Sequence, residues 1–324
     1  MRSVGTLAKV TINSRAALFA AIIGVVFGSA VFGQGRPAGP AIATDADISG
    51  VWNYATLTPL ERPVRFASKP FLIKEEAAAF EKEILRAAGD LRLGTGPDVD
   101  DIFLERGHLG VVNGRYVTSL VSEPPDGRTP EATEAAKARR ASRTQASDRA
   151  SGPEDRSLSE RCLRSASGPP MFPSADANIV QIVQNREHVV FLMEKFHDAR
   201  IVPLDPRPRL DGGLRSWMGD SRGHWEGDTL VVDTSNFTDK IGLTGRFDEN
   251  LRLVERFTRT SPNTLLYEVR IEDPTAFTAP WSVTVPWVRS NEPLLEFACH
   301  EGNYGLPNIL KAARADEQSE EGGH

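Results

Sequence analysis

From Ile179 to Phe297 apolar and polar residues alternate with a period of two, and this confines the fold more than any other feature of the chain. Ile179–Gln184 and Val189–Phe196 flank a turn at 185–188, and His224–Val232 folds back on itself at Glu226-Gly227-Asp228. Leu251–Arg259 and Leu265–Glu272 flank a turn at 261–264. In the second of these arms Leu265, Tyr267, Val269 and Ile271 share one face, while Glu268, Arg270 and Glu272 share the other. Val283, Val285 and Trp287 continue the pattern, and Leu294–Ala298 reads as a last strand. Successive antiparallel strands with one apolar face predict a mainly β fold, a meander that rolls into a barrel or strongly curved sheet.

Upstream, Val51–Tyr54 reads as a strand with Trp52 and Tyr54 on one face, and Pro59, Pro63 and Pro70 keep 58–72 irregular. Residues 74–88 form an amphipathic helix, with Ala77, Phe80 and Ile84 on one side and acidic residues in the first turn. Arg115–Ser122 reads as a strand that ends at Pro124-Pro125-Asp126-Gly127. Residues 128–160 are polar and nearly free of large apolar side chains, so a mobile insertion with a solvated helix near Glu131–Ser142 is expected. One or two helices thus flank the sheet of a single domain over 48–312, followed by a disordered tail over 313–324.

Arg2, Lys9 and Arg15 precede an apolar run from Ala16 to Phe32, the layout of a secretory signal peptide. Cleavage is open between Ala30 and Gly33; the later site makes 1–33 the signal and 34–47 a Gly- and Pro-rich linker. The alternative, an uncleaved anchor, is disfavoured because the run falls short of the roughly 20 residues that span a bilayer. An exported chain, periplasmic or extracellular and without stable membrane insertion, is the expectation. Beyond Gly33 there are 35 Lys and Arg against 44 Asp and Glu, a net charge of −9 that argues against nucleic acid as the main partner. In an oxidising compartment the two cysteines, Cys162 and Cys299, are expected to pair; the alternative is two buried thiols that never meet.

Polar residues gather in three places. In 217–233, Asp220, Arg222, His224, Glu226 and Asp228 fall on a glycine-punctuated stretch, where His224 and Glu226 are candidate acid/base residues and Asp220 and Arg222 candidate ligand contacts. The bland account is a solvated β-turn. Gly219-Asp220-Ser221-Arg222-Gly223 matches a nucleophile elbow literally, yet that elbow needs a helix after it and a turn follows here. The second cluster is Cys299–Tyr304, with His300 and Glu301 as candidate catalytic residues and Tyr304 as a ligand contact. The third holds Glu194, His197, Asp198 and Arg200, the last three being candidate ligand contacts. Metal-binding and phosphate-loop spacings are absent, so neither metal nor cofactor is expected.

Three segments, Thr118–Arg128, Trp217–Asp233 and Ala298–Tyr304, resemble a family of exported bacterial proteins with no assigned activity. With Leu57–Phe66 and His197–Leu204 the likeness covers most of the chain after the leader, and it implies export and one domain without lending a catalytic residue. The Gly50-x-Trp52 start before a meander is similar to lipocalin-like barrels, an analogy of fold alone. The leading expectation is a protein that binds a small, partly apolar ligand in a barrel cavity. The alternatives are a cofactor-free hydrolase, lyase or isomerase using a His/carboxylate pair, and a protein that acts by contact through 128–160.

Overall fold

The computed structural model describes residues 46–90, 105–164, 168–239 and 247–321, so the leader, most of the linker and the last three residues lie outside the described part. The alternation becomes a nearly closed antiparallel barrel of nine strands. They are β1 (Gly50–Asn53), β6 (Ile179–Gln184), β7 (His188–Met193), β8 (Ala199–Pro203), β9 (Asp220–Glu226), β10 (Thr229–Ser235), β11 (Arg252–Ser261), β12 (Thr264–Glu272) and β13 (Trp281–Arg289), in the order β8-β7-β6-β1-β13-β12-β11-β10-β9. Of the shorter strands, β2 (Phe71–Leu72), β3 (Val111–Val112) and β4 (Arg115–Val117) make a separate small sheet. The remaining one, β5 (Val121–Glu123), pairs with β13.

Register stacks the inward residues in layers. Trp225, Leu230, Phe257, Tyr267 and Val285 are successive cross-strand partners, and the next layer runs Gly223, Val232, Glu255, Val269, Val283. Trp52, Tyr54, Phe191, Phe257, Tyr267 and Trp287 are fully buried, and the Tyr267 and Phe257 rings pack against Trp287 with centroids 5.3 and 5.7 Å away. The axis of the barrel is therefore filled with side chains. Pro286 sits where the outer edge of β13 passes from β5, at Ser282 and Val283, to β1, at Val288 and Arg289, so its missing N–H costs no ladder bond.

Nine antiparallel neighbours in a row bring the first and last strands together running the same way. Here β8 meets β9 through side chains: Arg200 Nε donates to Ser221 Oγ at 3.1 Å, and two residues on Val202 lies over Gly223. No ladder between these two strands is present among the described residues. The seam is instead closed by contact, which explains Gly223, where a Cβ would stand 2.8 Å from Val202 Cγ1 and 2.9 Å from Leu204 Cδ2.

Among the described residues three helices flank the barrel. α1 (Lys74–Asp90) buries Ala77 and Phe80 against Leu72 and Leu109, as the periodicity predicts. α2 (Glu134–Arg149) falls within the stretch expected to be mobile and is tied down instead. Its N-cap Thr133 accepts the Ala136 amide at 3.1 Å and donates to the Thr275 carbonyl at 2.7 Å, while Arg139 reaches Asp248 at 3.2 Å. Low hydrophobicity hid this, because polar contacts rather than an apolar face hold the helix. α3 (Gly305–Glu321) occupies most of the tail expected to be disordered, with Arg314 donating to the Ser151 carbonyl at 2.9 Å. The expected last strand, Leu294–Ala298, is irregular chain whose Leu295 amide donates to Glu194 Oε1 at 3.0 Å. Among the described residues no helix is long and apolar enough to cross a membrane.

Candidate functional site

The connection from β8 to β9 folds back over the outside of the seam. The Leu210 amide donates to Asp220 Oδ2 at 2.9 Å, Arg209 to the Asp220 carbonyl at 2.8 Å and Arg222 to the Pro208 carbonyl at 2.7 Å. Between this connection and the strands lies a cavity of about 420 Å³. Ala199, Ile201 and Pro203 line it from β8, Asp220 and Arg222 from β9, and Arg207, Leu210, Ser216 and Met218 from the connection. Arg200 and Ser221 point inward yet also reach the cavity, because no ladder separates them from it.

Beneath the seam lies a buried polar network. Arg200 donates to both oxygens of Glu255, at 3.0 Å to Oε1, and to Thr234 Oγ1 at 2.7 Å. The Tyr267 hydroxyl donates to Glu255 Oε1 at 3.0 Å and accepts the Met171 amide at 3.1 Å. Burial, with Glu255 beside it, holds the Tyr267 phenol well above its ordinary range, so it stays a donor. Ser221 and Thr234 hydroxyls are 3.0 Å apart. Glu255 takes an inward place between Leu253 and Phe257 that the alternation assigns to an apolar residue, and it is fully buried. That misfit in the pattern is the sequence signal that could have found the network.

Of the residues singled out from sequence, the structure brings some together and leaves others apart. Arg200, Asp220 and Arg222 meet at the cavity, where Arg222 pairs with Asp220. His224 and Glu226 do form a pair, at 3.1 Å, but on the outer face of β9, well exposed and with Arg256 2.9 Å from Glu226. Hydrogen bonds from His224 and then Arg256 pull the Glu226 carboxyl below its usual range, a poor setting for a general base. His224 lies four residues along β9 from Asp220, about 13 Å at 3.3 Å per residue, and beyond the cavity lining.

The other two clusters share the end of the barrel where β8 begins. Cys162 and Cys299 form a disulfide with Cα atoms 5.6 Å apart, and Asn303 donates to the Glu160 carbonyl at 2.8 Å. Arg164 links Asp198, at 3.2 Å, to the Trp217 carbonyl, at 2.6 Å. Burial raises the Asp198 carboxyl although Arg164 opposes the shift. His197, His300, Glu301 and Tyr304 are exposed, and their side chains make no hydrogen bond or ion pair with the described residues. The elbow reading of Ser221 is replaced by a mid-strand serine: Gly219 has φ +68° with its missing Cβ 2.6 Å from the Ser235 carbonyl, and Gly223 is the close approach already described.

Glu194, at the same end, has one oxygen on the Leu295 amide and a second buried without a partner among the described residues, as is the Tyr54 hydroxyl. Burial and then neighbouring Glu105 push the Glu194 carboxyl upward. A raised carboxyl binds its proton more tightly folded than unfolded, so stability falls as pH climbs above the ordinary 4.5, and the loss persists at neutral pH. Glu194→Gln is expected to flatten the stability–pH curve above 4.5 in urea melts, and an unchanged slope would mean the carboxyl is not desolvated.

Among the described residues no group of three or more His, Cys, Asp or Glu could hold a metal ion. No family model, curated protein or solved structure matches the chain.

Proposed function

We propose that this is an exported protein that holds a small, partly apolar ligand in the groove outside its β8–β9 seam. The observation that carries the reading is the cavity itself: apolar Ala199, Ile201, Pro203, Leu210 and Met218 together with polar Arg207, Ser216, Ser221 and Arg222 line one opening of ligand size. The barrel axis offers less, because aromatic rings fill it. Export is supported by the disulfide, which suits an oxidising compartment, and by the layout of the first 33 residues. Binding is favoured over turnover because no histidine is among the groove's lining residues, and of its two hydroxyls Ser221 takes the Arg200 guanidinium and Ser216 the Met218 amide rather than a base.

The uncharged fluorophore N-phenyl-1-naphthylamine serves as a probe of the groove. It is expected to brighten saturably with the wild-type protein and to lose that signal in Ala199→Trp, which fills the groove from the outer face of β8 without touching the core. Equal brightening in both proteins would place the apolar site elsewhere and sink the reading.

A further inference from the structure

Three guanidinium groups border the groove against a single carboxylate, Asp220. Two of the three are committed: Arg200 to buried Glu255, and Arg222 to Asp220 and the Ser221 and Pro208 carbonyls. Asp220 is committed too, taking Arg222 on one oxygen and the Leu210 amide on the other. Arg207 differs. Its carboxylate partner, Asp205, is only two residues away, with Arg207 Nε 2.6 Å from Oδ1, and both side chains stand over 40% exposed (44% and 42%). Such a pair gains little from its own attraction in water, so another carboxylate can take the place of Asp205 without uncovering a buried charge. Ser216 Oγ accepts the Met218 amide at 3.2 Å, which leaves its own proton free to donate into the groove. Beside these donors Ile201 and Leu210 stand 60% and 51% exposed, an apolar strip with nothing over it in the described chain.

We infer that the groove ligand is an amphiphile with a carboxylate head, the head on Arg207 and Ser216 and the aliphatic body along Ile201, Leu210 and Met218. This rests on the binding reading above and narrows it to a chemical class. A cationic head would meet Arg207 as a like charge, and a purely apolar ligand would leave both Arg207 and the Ser216 hydroxyl without a partner on the ligand. Arg207 also suits an exchangeable head better than a lysine, because its planar fork meets a carboxylate in two parallel hydrogen bonds.

The test displaces N-phenyl-1-naphthylamine from the whole protein with decanoate, decan-1-ol and decan-1-amine at matched ionic strength. Decanoate is expected to displace at about a tenfold lower concentration than decanol, the worth of one charge-assisted hydrogen bond, and the amine to be weakest. Arg207→Gln should erase that preference while leaving decanol unchanged, and Asp205→Asn should sharpen it by removing the competitor. If decanol or the amine matches decanoate, or if Arg207→Gln keeps the preference, the carboxylate assignment is overturned while groove binding stands. If the fluorophore does not bind at all, the binding reading fails first.

Discussion

Replacing Glu255 with Ala is expected to cost about 3–5 kcal/mol of folding stability, because it strands the Arg200 guanidinium inside the barrel without its counter-charge. The size follows from burial: the side chains of Arg200 and Glu255 are 2% and 0% exposed, so water cannot replace the lost partner. Thr234 and Ser221 would keep their contacts with each other and with Arg200, and Tyr267 would keep only the Met171 amide, but none carries negative charge. Removing both charges, as Arg200→Met with Glu255→Leu, should cost less than either single change, since an apolar pair of similar volume desolvates nothing. Urea unfolding of Arg200→Met, Glu255→Leu and the double variant closes a double-mutant cycle. A single-variant loss below about 1 kcal/mol would show that the pair is open to water.

Breaking the Cys162–Cys299 bridge is expected to lower stability by about 2–5 kcal/mol, since it closes a loop spanning 137 positions and thereby restricts the unfolded chain. In the folded protein the bridge pins the irregular segment that carries the Leu295 amide to Glu194 and sets the Phe297 ring 4.9 Å from that of Phe196. Cys162→Ser with Cys299→Ser should therefore lower the urea midpoint and also expose the Glu194 end of the barrel to faster amide exchange. If dithiothreitol leaves the midpoint of the wild type unmoved, the bridge contributes nothing to the folded state.

How much of this was legible beforehand follows from what each residue rests on. Strands whose apolar face is buried announced themselves, and β12 and β13 lie where Leu265–Ile271 and Val283–Trp287 place them. Trp52 and Tyr54 share a buried face as their spacing requires, and the two cysteines do pair. A helix where α2 lies was legible but its anchoring was not, and α3 was missed, because side-chain bonds to distant carbonyls hold both and such partners leave no period in the sequence. The cavity was harder still. Arg200, Asp220 and Arg222 could be named as polar residues of interest, but Ile201, Arg207 and Met218 join them only because curling of the sheet brings β8 and β9 side by side, and closure is a property of the whole sheet.

The place of β1 in the strand order bears on how the chain comes to be folded. Strands β6 to β8 pair with their immediate successors, and so do β9 to β13, so each set can form from nearby hairpins soon after it is made. Among the described residues the only backbone ladder that unites the two sets runs through β1, which pairs Trp52 with Val180 on one side and with Arg289 on the other. The first of these strands to emerge can pair with β6 midway along the chain, but its other edge must wait for β13, nearly the last. The search for that distant edge, with its loop-closure entropy, is the step expected to limit the folding rate, and until it succeeds the two meanders remain separate, open-edged sheets.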